Sequence, residues 1–299
     1  MNKAPHIIVI LQALLVTFLW STSFIIIKWG LSEIHPITYA GLRYFLAFLC
    51  FFPFMLLNKK YVNEIRSLHF AQWKKLILLG FVFYTLTQGT QFLGLYLLPA
   101  VTVSLMLNFT PLIVAVLGLI LLQEKPGLLQ WIGSGVFILG ILFYFFPVSF
   151  ANNEALGLLV MFIGVLANSA SAILGRNINR SRDISPVVIT FVSMGIGATL
   201  LLVIGLSLNG IPSMSAKNWG YLFWLAIVNT ALAFTLWNHT LRSLSAIESS
   251  IINGTMLIQI GVLAWIFLDE RITSQEGIGM LIATAGAVLV QIKTRAKKM

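Results

Sequence analysis

Charged residues are scarce in this chain. Only 9% of its 299 residues are Asp, Glu, Lys or Arg, whereas a soluble domain carries roughly 25%. Acids are the rarer sign, and each of the nine falls in a predicted loop or near a predicted helix end. Hydrophobic residues make up 59% of the chain, and its mean hydropathy is +0.94. These proportions exclude a soluble domain and favour an integral membrane protein.

Residues that bind metals or form disulfides are also few. Cys50 is the single cysteine, so neither a disulfide within the chain nor a thiolate cluster is possible. The four histidines, His6, His35, His69 and His239, show no paired ligand spacing. Glycine-rich phosphate loops are missing as well, which argues against ATP hydrolysis. We therefore predict a protein that is not an enzyme and that needs no metal and no cofactor.

Long apolar runs are what the chain has in abundance. Each is close to the ~20 residues that cross about 30 Å of hydrocarbon. They predict ten transmembrane helices, at residues 7–28, 36–57, 74–96, 99–122, 127–147, 154–175, 186–208, 218–240, 246–268 and 273–292. The first run follows Lys3 as in a signal peptide, but it continues to Ile27 without an Ala-x-Ala-like site. We expect it to remain as helix 1.

The basic residues follow the predicted membrane, so the net charge of +10 requires no nucleic acid. With a cytoplasmic N-terminus, fifteen Lys and Arg residues fall on the cytoplasmic side and three on the opposite side. The nineteenth, Arg43, lies within predicted helix 2. The positive-inside rule then predicts a multi-pass protein of the plasma (inner) membrane with both termini in the cytoplasm.

The last third of the chain repeats its middle. Residues 95–143 align without a gap onto residues 241–289, at a constant offset of 146. The informative matches are Ala100/Ala246, Ser104/Ser250, Glu124-Lys125/Glu270-Arg271, Gly133/Gly279 and Gly140/Gly286. Because five helices in each half is an odd number, the two halves must have opposite orientations. We predict an all-α integral membrane protein with ten transmembrane helices built from two five-helix inverted repeats, residues 1–147 and 148–299. Such repeats are typical of secondary transporters.

Several short motifs carry a resemblance to a known family. They are Trp20-Ser-Thr-Ser-Phe-Ile-Ile-Ile-Lys28, Pro36, Leu42-Arg43-Tyr44, Pro99-Ala100, Ser104, Pro111, Glu124-Lys125, Leu236-Trp237-Asn238, Ser245-Ala246 and Asp269-Glu270-Arg271. In this order they resemble the ten-helix EamA-type permeases of the drug/metabolite transporter superfamily. Asn168-Ser169-Ala170-Ser171 looks like a degraded copy of the helix 1 motif. The resemblance implies an alternating-access carrier that exports amino acids, related metabolites or drugs, with a cavity lined by helices 1–4 and 6–9.

Polar side chains inside apolar helices are the candidates for a substrate site, because a polar group in hydrocarbon is costly and normally faces the bundle interior. In predicted helix 3, Tyr84, Gln88 and Gln91 recur at i, i+4 and i+7, on one helical face. This face offers amide and phenol hydrogen bonds to a polar or zwitterionic substrate. The open alternative is that it bridges neighbouring helices.

Arg43 lies seven residues after Pro36, about 10 Å into predicted helix 2. A planar, permanently charged guanidinium is suited to bidentate binding of a carboxylate or a phosphate. The alternative is that it snorkels to the outer interface or ties helices together through backbone carbonyls. The sequence leaves both roles open.

Helices 1, 6 and 8 supply further candidates for substrate binding: Trp20 and Ser23, Asn168, and Trp237 and Asn238. The tryptophan of helix 1 lies too deep for the interfacial aromatic belt. The tryptophan of helix 8 corresponds to a glutamine of helix 3 at the offset of 146. For the serines of helices 1 and 6, close helix packing is the stronger interpretation.

Helices 4 and 9 carry Asn108 and Asn253, which complete the candidate binding residues. Asn108 stands close to Pro111, and Asn253 precedes Gly254. Proline and glycine both weaken a helix, so each half is predicted to have a deformable point midway, unless these residues serve packing alone.

Proton coupling has two candidate residues. No carboxylate lies at the predicted midplane, so lipophilic cations are the less favoured substrates. Glu248, two residues into helix 9, and His239, near the end of helix 8, are the candidates if protons drive transport.

The predicted function is therefore a secondary transporter, an exporter of small polar or zwitterionic metabolites such as amino acids. The alternative is a proton-coupled drug exporter. A membrane-embedded lipid enzyme would need acids, histidines or metal ligands gathered at one interface, and the sequence shows no such cluster. Polar helix faces argue against an accessory subunit that does not transport. We expect a small-molecule substrate and the lipid bilayer as partners, no nucleic acid, and a monomer or homodimer.

Overall fold

The part of the chain that the structure describes is mostly helical. The computed structural model describes residues 6–122, 127–146, 152–181, 183–240, 244 and 246–291. Their helices are α1 (His6–Gly30), α2 (Pro36–Leu57), α3 (Lys59–Arg66), α4 (Phe70–Leu79), α5 (Gln88–Leu97), α6 (Ala100–Leu107), α7 (Thr110–Leu122), α8 (Leu128–Phe145), α9 (Asn152–Ser181), α10 (Pro186–Asn209), α11 (Ala216–Ala226), α12 (Ala233–Thr240), α13 (Ala246–Leu268) and α14 (Ser274–Gln291). Two π-helical stretches, π1 (Gly80–Thr87) and π2 (Ile227–Leu232), join α4 to α5 and α11 to α12.

Each of the ten predicted membrane segments is helical over most of its described residues. By length and composition, six stretches among the described residues are able to cross a membrane: His6–Gly30, Pro36–Leu57, Phe70–Leu97, Leu128–Phe145, Glu154–Asn179 and Pro186–Asn209. Shorter apolar helices cover Ala100–Val114 and Ile252–Leu268. The prediction of an all-α membrane protein is confirmed.

Three predicted helices are interrupted. Helices 3 and 8 contain the π-helical stretches, and at the repeat offset of 146 residues 81–86 of π1 correspond to π2. Helix 4 divides at Asn108 and Phe109 into α6 and α7, just before Pro111, as its lack of an N–H favours. Helix 9, in contrast, continues as α13 through Gly254, whose N–H remains available for the helix. The interruption of helix 4 therefore has no counterpart in helix 9, and the predicted deformable point at Gly254 stays a prediction.

The helices form two compact units, and each unit draws on both halves of the sequence. Unit 1 consists of Met1–Ile25, Leu98–Leu156 and Ala233–Met299. Unit 2 consists of Ile26–Leu97 and Gly157–Leu232. Helix–helix contacts thus divide the chain differently from the sequence repeat, because helices from one half pack on helices from the other.

Unit 2 is built on the pair α2 and α10. A Cβ placed on Gly41 would lie 2.5 Å from the Cα of Leu202, and one on Gly205 would lie 2.6 Å from the Cα of Thr38. Later residues of α2 contact earlier residues of α10, so the two helices are antiparallel. Such backbone proximity is open only to residues without a side chain.

Unit 1 contains a matching pair, α8 and α14. A Cβ on Gly140 would lie 2.4 Å from the backbone N of Ala283, and one on Gly286 would lie 2.3 Å from the backbone N of Phe137. This pair is antiparallel as well. Because α8 and α14 are equivalent at the offset of 146, their opposite directions are those of an inverted repeat.

Candidate functional site

Arg43 is buried in unit 2, with 4% of its surface exposed. Its Nε donates to the hydroxyl of Thr230 in π2 at 3.2 Å. Its Cζ lies 5.1 Å from the ring centroid of Tyr44 and 6.0 Å from that of Phe92. Among the described residues no carboxylate pairs with it, and its two terminal nitrogens make no hydrogen bond. The guanidinium therefore presents an unused, planar pair of donors.

Tyr44 joins this cation to the predicted face of helix 3. The Tyr44 hydroxyl donates to Oε1 of Gln88 at 2.6 Å, and its ring meets that of Tyr84 edge-on at 5.8 Å between centroids. Tyr84 and Gln88 are both buried. The structure thus brings three of the predicted residues, Arg43, Tyr84 and Gln88, into one cluster through a residue that was not predicted.

The remaining candidates of unit 2 lie at less buried positions. Gln91 is half-buried in α5 and makes no hydrogen bond within the described part of the chain. Asn168 is half-buried in α9, where its backbone carbonyl accepts a hydrogen bond from the hydroxyl of Ser171 at 2.7 Å. The stripe on helix 3 is less regular than predicted, because π1 ends just before Gln88 and changes the angular spacing of the turn.

Unit 1 holds an aromatic cluster around Trp20. The ring of Trp20 lies 5.3 Å from the rings of both Phe234 and Trp237, between centroids. The indole Nε1 of Trp20 is buried and has no hydrogen-bond partner among the described residues. Buried indole N–H groups usually find a partner, so the unpaired donor keeps Trp20 a candidate for ligand binding.

The serines near Trp20 bond to carbonyls of their own helix, and the Ser21 hydroxyl is shared with Gln259 of α13. Ser21 donates to the carbonyl four residues earlier and Ser23 to the carbonyl three residues earlier. Ser169 and Ser171 in α9 repeat both bonds. All four are buried, which favours the packing interpretation and leaves Ser23 a weaker candidate for binding.

Gln259 in α13 is an inward-facing amide that the sequence reasoning missed. Its Oε1 accepts from Ser21 at 2.9 Å, and its Nε2 donates to Thr255 at 3.0 Å and to Thr17 at 3.3 Å. The amide links α1 to α13, as polar groups do between membrane helices. The position of Gln259 within an apolar helix could have predicted an inward-facing amide. Nothing comparable in the sequence distinguished Thr230 or Phe234.

The other candidates of unit 1 are scattered. Asn108 is half-buried and donates to the carbonyl of Ser104 in its own helix at 2.9 Å, while Asn253 is exposed. His239 is exposed in the last turn of α12. The side chains of Asn238 and Glu248 lie outside the described part of the structure. Within that part, no group of three or more His, Cys, Asp or Glu is placed to hold a metal.

A family model matches nearly the whole chain. The EamA-like transporter family matches twice, at residues 7–146 and 155–292. The chain is 24% identical over 291 residues to the uncharacterized transporter YoaV of Bacillus subtilis, covering 93% of this chain and 94% of that protein. It is 23% identical over 287 residues to the S-adenosylmethionine/S-adenosylhomocysteine transporter of Chlamydia trachomatis, covering 91% and 84%.

The fold is similar to that of a solved crystal structure. The two chains superpose with a TM-score of 0.66 at 16% identity, over 94% of this chain and 96% of the other. At this level of identity the likeness concerns the fold alone.

Proposed function

Because the chain belongs to the EamA-like transporter family, we propose that this membrane transporter exports small zwitterionic metabolites such as amino acids by alternating access. The observation that carries the proposal is the buried, unneutralised guanidinium of Arg43. Arginine does not deprotonate in proteins, and a buried charge without a partner is strongly unfavourable. A substrate carboxylate supplies the missing charge and accepts both terminal nitrogens in a bidentate pair.

The surroundings of Arg43 support a small substrate with both polar and apolar parts. Thr230 engages Nε, which leaves the end-on fork of Nη1 and Nη2 for the carboxylate. The Nε2 donor of Gln88 makes no hydrogen bond among the described residues. The rings of Tyr44, Tyr84 and Phe92 offer apolar and cation–π contacts beside these donors.

The test is counterflow in proteoliposomes with a panel of labelled amino acids. We expect saturable exchange of at least one amino acid, with competition by that amino acid and none by the amine that lacks its carboxylate. Competition by the amine, or exchange of no carboxylate compound at all, would overturn the substrate class.

Three variants locate the site. Arg43→Gln is expected to lose roughly tenfold or more in apparent affinity, as for a hydrogen bond to a charged group. Arg43→Lys keeps the charge without the planar fork and is expected to lose less. Arg271→Gln, at an exposed arginine, is the control and should match the parent chain. Full exchange by Arg43→Gln would assign Arg43 a structural role instead.

Export is tested by direction. Cells that produce the protein and are loaded with the exchanged amino acid should release it faster than cells that produce Arg43→Gln. Faster uptake in the same cells, without faster release, would reverse the proposed direction.

A proton-coupled drug exporter is the second candidate, and the aromatic cluster of unit 1 favours it. Trp20, Phe234 and Trp237 offer the flat apolar faces that suit aromatic drugs. This candidate requires a proton carrier, for which Glu248 and His239 are proposed. Unchanged drug efflux and an unchanged pH profile in Glu248→Gln together with His239→Gln would eliminate it.

A further inference from the structure

One end of unit 2 carries a concentrated positive surface. It is formed by α3 and the first turns of α4, and we call it the basic surface: Lys59, Lys60, Arg66, Lys74 and Lys75. All five side chains are exposed. Between residues 58 and 75 the sequence contains a single acid, Glu64.

The acid leaves the basic surface largely uncompensated. The carboxylate of Glu64 accepts the backbone N–H of Ser185, immediately before α10 begins. It therefore serves an orphan donor at the start of α10. None of the five basic side chains forms an ion pair among the described residues, although Asp183 is exposed in the loop before α10 at the same end of unit 2.

Packing of α3 holds the basic side chains outward. The apolar side of α3 and the turn that follows it, through Tyr61, Ile65 and Leu68, packs against a buried cluster that includes Met55 and Leu76. Exposed and packed residues alternate as on an amphipathic helix. Because the apolar side is occupied within unit 2, the basic side faces the surroundings.

Exposed apolar residues border the basic surface. Leu57 is 86% exposed and Phe70 is 75% exposed, and the Lys74 ammonium lies 4.6 Å from the ring centroid of Phe70. Basic residues beside exposed Leu and Phe are the composition of segments that lie in the headgroup region of a bilayer.

The opposite end of unit 2 has no such excess. It carries Lys28, Glu33 and Lys217, and α2, whose 22 residues span about 33 Å, separates the two ends. The large excess of basic residues in unit 2 thus lies at one membrane face. At that face, phospholipid phosphates are the anions present at high density.

We propose that the basic surface binds the headgroups of anionic phospholipids. The five side chains surround the phosphates of one leaflet, while Leu57 and Phe70 contact the upper acyl chains. The preference is electrostatic, so zwitterionic lipids, which carry no net charge, bind less. Each basic residue near an anionic surface contributes roughly a fivefold gain in affinity.

Native mass spectrometry of the full chain, released from mixed micelles with equal amounts of phosphatidylglycerol and phosphatidylcholine, tests the proposal. The parent chain is expected to retain phosphatidylglycerol at least about tenfold over phosphatidylcholine. In the variant K59Q/K60Q/R66Q/K74Q/K75Q this ratio should fall towards one. The pairs K59Q/K60Q and K74Q/K75Q should give intermediate ratios.

Lys217→Gln is the matched control, because Lys217 is exposed and contacts a ring, that of Tyr221, at the other end of unit 2. Its lipid ratio should equal that of the parent chain. A thermal unfolding midpoint close to that of the parent chain shows that the variant with all five substitutions is folded. If this variant is not folded, the two pair variants are used in its place.

Three outcomes would overturn the proposal. The first is a ratio of phosphatidylglycerol to phosphatidylcholine near one for the parent chain, and the second is an unchanged ratio in the variant with all five substitutions. The third is release of the bound lipid by millimolar inorganic phosphate. The last would show a site for free phosphate rather than for a lipid headgroup.

Discussion

The two units share a construction but not a chemistry. Each contains an antiparallel pair of helices that are equivalent in the two halves of the sequence, and each pair approaches through glycines. Each also has an N–H near the start of a helix served by a distant carboxylate, that of Glu64 in unit 2 and that of Glu270 in unit 1. Their interiors differ: unit 2 buries the cation of Arg43, whereas unit 1 holds the half-buried, neutral amide network of Gln259.

The difference shows what the repeat preserves. Glycines are needed wherever two backbones approach, so they recur in both halves, as Gly140 and Gly286 do. A polar group that links two particular helices needs to occur only once, and at the offset of 146 Gln259 corresponds to the apolar Ile113. The scaffold is therefore nearly symmetric, while the polar residues on it are not.

The largest expected effect on stability comes from filling the glycine contact of the antiparallel helix pair in either unit. Gly140→Ala places a Cβ against the backbone of Ala283, and Gly41→Ala places one against Leu202. Overpacking of this kind costs about 1–3 kcal/mol, so both variants should unfold at lower temperature in detergent. Gly135→Ala is the control in α8, because a Cβ there meets nothing within 4 Å. Equal midpoints for Gly135→Ala and Gly140→Ala would refute the backbone contact.

A smaller effect is expected at the carboxylate that caps α6. Glu270 accepts from the N–H groups of Ala100 at 2.8 Å and Val101 at 3.3 Å, and the preceding Asp269 turns the chain with φ 54°. Pro99 supplies no cap of its own. Glu270→Ala should cost about 0.5–2 kcal/mol, measured by thermal unfolding.

The matching change in unit 2 sharpens this comparison. Glu64→Ala removes the acceptor of Ser185 and should shift the midpoint by a similar amount. Glu276→Ala is the control, because Glu276 bonds to Thr273 close by in sequence. A shift in Glu276→Ala as large as in Glu270→Ala would mean that the capping contact adds nothing.

Replacing the central polar groups should separate stability from transport. Gln259→Met removes bonds between α1 and α13 worth about 0.6 kcal/mol on average in membrane proteins, and transport should continue. Arg43→Met removes an unneutralised buried charge, so stability should be unchanged or higher while transport is lost. Thermal unfolding and counterflow on the same preparations check both. A loss of stability in Arg43→Met with transport intact would reverse the roles assigned to the two units.

The smallest effect concerns pH at the end of unit 2 that lacks the basic surface. The backbone N–H of Ser215, followed by the side chain of Asn218, holds the pKa of Glu33 below its ordinary value of 4.5. Because the folded pKa is the lower one, this contact stabilises the fold at pH values above the ordinary pKa. Its contribution to the free energy of unfolding disappears as the pH falls through the folded pKa. Unfolding midpoints between pH 3 and 6 should therefore drop slightly more for the parent chain than for Glu33→Gln. Parallel curves would show no contribution from Glu33.

Much of the fold could be predicted from the sequence, since apolar runs of membrane-spanning length specify helices directly. The π-helical stretches could not, because π1 lies within a continuous apolar segment and nothing in the pattern marks the extra residue in a turn. The break at Pro111 followed from the missing N–H, whereas Gly254 left its helix intact because it keeps that donor.

The candidate site was predicted in part. The spacing of Tyr84 and Gln88 was visible, and so was the charge of Arg43. Their link through Tyr44 was not, because a side-chain contact across two helices has no local signature. The contacts of Trp20 with Phe234 and with Trp237 likewise join residues more than 200 positions apart.

The sequence by itself determined an all-α membrane protein, since low charge and long apolar runs leave helices as the structure that satisfies every backbone group in lipid. The repeat offset also indicated two halves of opposite orientation. Only the tertiary structure decided which helices share a unit and which acceptor Arg43 meets. The physical reason is that helix formation depends on neighbours within a few residues. The hydrogen bond from Arg43 to Thr230 instead joins positions 187 residues apart, and the packing of whole helices brings them together.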